Sequence, residues 1–109
     1  MSGPGGEAPP SWLLGAWHLI RAEAPLEMLP GTRMEFGLGG QLEYAVTLEG
    51  QTTRFTLVYR VVGDLLRTEN PSSPHAAEAR LSLGDDDILT LDFGGPRAWL
   101  AREYDQYEP

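Results

Sequence analysis

From Trp17 onward, apolar and polar side chains alternate in short runs separated by residues that make turns. Trp17–Glu23 sets Trp17, Leu19 and Arg21 against His18, Ile20 and Ala22. Thr32–Leu38 offers Met34 and Phe36, and Gly39-Gly40 leads into Gln41–Leu48, where Leu42, Tyr44, Val46 and Leu48 share a face. After Glu49-Gly50, Thr52–Val62 alternates Phe55, Leu57, Tyr59 and Val61 with Arg54, Thr56, Val58 and Arg60. A period of two is what a half-buried strand requires, because successive side chains point to opposite faces of a sheet. Leu65–Glu69, Ala77–Leu83, Ile88–Phe93 and Arg97–Tyr104 complete the series. Their boundaries are Gly63-Asp64, the loop Asn70-Pro71-Ser72-Ser73-Pro74, Gly84-Asp85-Asp86-Asp87 and Gly94-Gly95-Pro96.

About eight strands at a spacing of roughly ten residues predict a sandwich or a barrel. No segment long enough for a substantial helix shows helical periodicity, and Ser11-Trp12-Leu13-Leu14 predicts a single capped turn. At 109 residues the chain reads as one domain over 11–105, between a disordered tail at 1–10 and a short tail at 106–109.

Composition narrows the chemistry. The net charge of −8 opposes binding to nucleic acid or to anionic lipid, so neither is an expected partner. Cysteine is absent, which removes disulfides, thiolate nucleophiles and cysteine metal sites. All eight basic residues are arginine, so a lysine Schiff base and a phosphate-loop lysine are excluded too. The opening decapeptide has neither a basic start nor an apolar core, and no later run could span a membrane. The expected location is cytoplasmic, and no cofactor is expected.

The start Leu14-Gly15-Ala16-Trp17 resembles the Gly-x-Trp opening of lipocalins and of smaller bacterial lipocalin-like domains. Met34-Glu35-Phe36 with Gly39-Gly40-Gln41-Leu42 is similar to the Phe…Gly-x-Leu hairpin of that smaller family. Tyr59-Arg60-Val61 with Gly63-Asp64-Leu65-Leu66 resembles its Tyr-x-Val…Gly-x-x-Leu segment. Leu89-Thr90-Leu91 and Leu100-Ala101-Arg102 resemble its last two strands, although an aromatic is more usual at the position of Leu100. The resemblance runs from Ser11 to nearly the end of the chain, and order and spacing carry it. It implies an all-β fold, a single eight-stranded up-and-down antiparallel barrel with a short N-terminal helical turn. It implies little about activity.

In such a barrel the first and last strands lie side by side. Trp17 and Arg102 then meet near one end, where a guanidinium over an indole would seal the barrel, worth about 0.5–2 kcal/mol. The loops 24–30, 49–50, 70–74 and 94–96 fall at the other end. There, Leu26, Met28 and Leu29 are unusually apolar for a connection and are expected to fold down as a plug or lid. Tyr44 and Tyr59 are the expected polar tips inside. Leu26, Met28, Leu29, Tyr44, Phe55 and Tyr59 are therefore the expected ligand contacts. Bulky inward residues (Trp17, Met34, Phe36, Tyr44, Phe55, Leu57, Tyr59, Leu89, Leu91 and Phe93) predict a small cavity near that open end, since eight strands enclose little space.

Other constellations are weaker. Asp85-Asp86-Asp87 lacks the alternation and central glycine of a calcium loop and reads as an acidic turn. His18 and His75, the only imidazoles, fall at opposite ends and cannot share a metal, so no metal site is expected. His75 with Ser72 or Ser73 lacks a nucleophile elbow, and no catalytic residue is expected. Trp99 either faces outward beside Ile20 and Ile88, which predicts a weak homodimer through that wall, or faces inward in a monomer. Three functions stay open. A binding module for a small apolar or amphipathic molecule ranks first, then a filled barrel acting as an interaction or inhibitor module, then a barrel cyclase or isomerase.

Overall fold

A computed structural model describes residues 9–24, 26, 29, 31–71 and 75–103. A 3₁₀ turn, Ser11–Leu13, precedes eight strands: β1 Gly15–Ala22, β2 Arg33–Phe36, β3 Gln41–Leu48, β4 Gln51–Val62, β5 Leu65–Asn70, β6 His75–Leu83, β7 Ile88–Asp92 and β8 Arg97–Arg102. Each strand pairs antiparallel with the next, and β8 pairs with β1, so the sheet closes into an up-and-down barrel. Closure removes the free edges that an open sheet of such strands would expose. Alternation builds the core: Leu89, Leu91, Ala98 and Leu100 are fully buried, while Thr90 and Trp99 between them turn to the outer wall.

Three local features shape the barrel beyond this pattern. In β1 the pairing with β8 runs Trp17 to Arg102 and Leu19 to Leu100, then slips so that Arg21 faces Trp99 and Ala22 faces Ala98. The extra residue is Ile20. A bulge of this kind reverses the parity of the residues beyond it. Arg21, which strict alternation puts inside with Trp17 and Leu19, is carried outside, where its guanidinium carbon lies 4.6 Å from the centroid of Trp99. An unpaired guanidinium in the core would be far more costly than one irregular pair.

The second feature is Trp99, which is neither inward nor part of a bare apolar patch. Its register partners are Arg21 and Thr90, and Ile88 pairs with Ala101 instead. Arg97 covers the ring as well, at 5.4 Å, and reaches the Glu23 carboxylate.

The third feature is an overhang. β4 has 12 residues, but β5 has 6 and meets β4 only over Val58–Val62. β2 likewise reaches β3 only as far as Ala45. The β3–β4 hairpin therefore runs on past both neighbours to its turn at Glu49 and Gly50, whose φ values of 54° and 79° make the left-handed two-residue turn that suits strand twist. Burial fades along the overhang: Leu42 and Tyr59 are buried, Tyr44 and Leu57 partly, and Phe55 is 44% exposed.

At the same end, the β7–β8 connection is held by Asp92, whose carboxylate accepts from the Gly95 and Gly94 N–H groups, each at 3.0 Å. Those bonds, Gly95 first, with help from the charges of Arg97 and Arg80, lower the pKa of Asp92. A carboxyl whose pKa is lowered by folding stabilises the fold above its ordinary value of 3.8 and loses that contribution as pH falls below it. Asp92→Ala is expected to lower the melting temperature at pH 7, and the gap to the parent should close steadily on acidification from about pH 4 towards 2. Thermal melts across that range check this; a constant gap would assign the loss to packing alone.

Candidate functional site

The two ends of the barrel differ in kind. One is sealed. The Arg102 guanidinium carbon sits 4.3 Å from the centroid of the Trp17 ring, and Trp17 is fully buried. The Trp17 indole N–H donates to the Leu13 carbonyl at 2.9 Å. Arg102 donates to the Trp12 carbonyl at 2.9 Å and to the Asp87 carboxylate at 3.2 Å. The 3₁₀ turn is thus a stopper: it inserts Leu13 at zero exposure and offers two carbonyls to the residues that clamp it. Its N-cap is Pro10, without a side-chain cap, so Ser11 does not cap the turn. Tyr59 belongs to this end as well. Its hydroxyl donates to the Gly37 carbonyl at 2.6 Å and its ring meets Phe36 edge-on at 5.1 Å, which commits its polar tip to the fold.

The other end is open among the described residues. Between the strands lies an apolar chamber of about 300 Å³, lined by Leu26, Met34, Leu42, Tyr44, Leu57, Leu66, Thr68, Ala77, Ala79, Leu91 and Phe93. A recess of about 390 Å³ adjoins it, sharing Tyr44, Leu57, Thr68 and Ala77 and adding Phe55, Glu69, Asn70 and Ala76. The space exists for two reasons. β6 contributes Ala77 and Ala79 where larger residues would fill the lumen, and the overhang of β3–β4 leaves a gap above the short β5.

Of the residues expected to contact a ligand, Leu26, Tyr44 and Phe55 come together around this space. Leu26 packs against the core from the loop, whereas Leu29 is 44% exposed, its carbonyl accepting from the Thr32 hydroxyl. Met28 lies outside the described residues, as do Ser72 and Ser73. Tyr59 is directed to the sealed end by its bond to Gly37. Thr68, Ala77 and Ala79 were not singled out by sequence; the signal was the pair of alanines on one parity of β6 facing bulky strands. Burial raises the Tyr44 phenol above its ordinary pKa of 10, so it remains protonated at neutral pH.

Among the described residues, no group of three or more His, Asp or Glu could hold a metal ion. In the acidic turn, Asp87 serves Arg102 and Asp86 accepts from the Ile88 N–H at 3.2 Å, the ordinary work of a turn. His18 lies on the outer wall, 3.9 Å from Glu103. No described helix is long and apolar enough to cross a membrane.

The chain is thus an eight-stranded antiparallel barrel with one clamped end and one open apolar end. No family model, curated protein or solved structure matches it.

Proposed function

We propose that this barrel is a lipocalin-like binding module that takes one small apolar or amphipathic molecule through its open end. The observation that carries the reading is the apolar chamber of about 300 Å³, which shares four wall residues with the recess at the mouth. Small-molecule sites are concave and mostly apolar, with volumes of roughly 300–1,000 Å³ and few polar fixtures. This one stands at the lower bound, sized for a single molecule. The order of the Gly-x-Trp opening and the later hairpin motifs lends further support.

The test is titration with naphthalene dyes and medium-chain apolar compounds, followed by fluorescence or calorimetry. Micromolar binding is expected, on the order of −8 kcal/mol. Native mass spectrometry of protein purified from its own host should show a co-purifying mass. If no probe binds and no mass accompanies the chain, the barrel works through its outer surface.

A further inference from the structure

The chamber wall carries two hydroxyls, those of Tyr44 and Thr68, and neither bonds to another of the described residues. Both border the same space, whereas the hydroxyl of Tyr59 is spent on Gly37. Two hydroxyls in an apolar wall are hydrogen-bonding positions that nothing in the described fold uses. A ligand oxygen placed at either would satisfy it, since a hydroxyl donates and accepts.

The charges around the space exclude one large class of amphipathic ligand. Lysine is absent, and all eight arginines can be located. Arg21 and Arg97 cover Trp99, and Arg102 covers Trp17. Arg33 bonds Glu103, Arg67 bonds Glu69 and Glu78, and Arg80 bonds Asp64. Arg54 and Arg60 are exposed and alternate with Phe55, Leu57 and Tyr59 along β4. Among the described residues, no arginine lines the chamber or its mouth, and the carboxyl at the mouth, Glu69, is paired with Arg67. A carboxylate head entering this space would lose its water and gain no cation, which is strongly unfavourable.

Resting on the reading of the chamber as a binding site, we infer that the bound molecule is uncharged, with a hydroxyl or carbonyl oxygen at Tyr44 or Thr68 and an apolar body beneath Leu26. A carboxylate of the same skeleton is rejected. This sets the protein apart from a carrier of free fatty acids.

The experiment compares decanol, decanal and decanoate on the full chain at about pH 8, where a histidine of ordinary pKa is neutral and decanoate is ionised. Decanol or decanal is expected to bind at least about tenfold more tightly than decanoate. At least one of Tyr44→Phe and Thr68→Val should weaken decanol by about three- to tenfold, the range for one lost neutral hydrogen bond, and both should leave a naphthalene hydrocarbon probe unchanged. Decanol binding untouched by either would overturn the assignment. Equal or tighter binding of decanoate would overturn the inference while the chamber reading stands. So would variants that weaken the hydrocarbon as much as the alcohol, because that pattern means lost packing. Failure of all four compounds to bind the parent would overturn the chamber reading itself.

Discussion

Arg102→Ala is expected to lower the melting temperature by about 10 °C, while Arg97→Ala moves it by no more than a few degrees. The two arginines sit at opposite ends of one strand, and each covers a tryptophan, at 4.3 Å for Arg102 and 5.4 Å for Arg97. What separates them is what else each holds. Arg97 is an exposed side chain paired with Glu23 on the surface, and such pairs contribute about 0–1 kcal/mol. Arg102 is only 21% exposed, stacks on a fully buried indole, and bridges Asp87 to the carbonyl of Trp12. Its removal uncovers the Trp17 face and loosens the 3₁₀ stopper together. We put the sum at about 2–3 kcal/mol, from a cation–π contact and hydrogen bonds to a charged group. Thermal melts of both variants decide it. Equal shifts would mean that the sealed end is held by Leu13 and Trp17 packing, with the guanidinium a bystander.

Ala77→Phe should reduce the affinity of any chamber probe by at least about thirtyfold, close to 2 kcal/mol, without lowering stability. Ala77 borders both the chamber and the recess, so a ring added there stands in the passage between them. Overpacking a filled core costs about 1–3 kcal/mol, but a ring that enters existing apolar space gains burial instead. The control is Ser82→Phe, on the same strand near the sealed end and exposed, which should leave binding intact. Calorimetric titration reads the affinity, and a melt of the same sample reads the stability. Unchanged binding would place the probes elsewhere. A loss of stability comparable to overpacking would show that the lumen is already filled.

Sequence alternation carried the eight strands because the fold is built almost wholly from local hairpins, and the resemblance carried their closure. Each run of period two, bounded by turns such as Gly39-Gly40 or Gly63-Asp64, pairs with the run beside it in the chain. One long-range pairing, β1 with β8, was also legible, and with it the meeting of Trp17 and Arg102. Closure leaves the end strands no other partners. Period-two reasoning failed where one strand broke its own parity. Nothing in Leu19-Ile20-Arg21 marks the bulge, because its cause is the charge of Arg21 measured against an interior that only the closed sheet creates.

The candidate site divides in the same way. The order of strands is enough to gather the loops with Leu26 at one end, but alternation alone would put Arg21 inside, and only the bulge in β1 removes it. Neither says which tyrosine is available. Tyr44 and Tyr59 lie on adjacent strands with the same parity, yet Tyr59 reaches the Gly37 carbonyl in the turn after β2 while Tyr44 reaches no such partner among the described residues. Phe55 reads as core by alternation and is half out because β5 stops short of it. Local pattern thus determined the elements, their order and their inner faces, since those depend on a residue's near neighbours in the chain. Where the barrel is filled and where it is hollow was decided only in three dimensions, by strands of unequal length and by two alanines set opposite larger side chains. A void is a property of what fails to meet across the lumen, and no single strand carries that information.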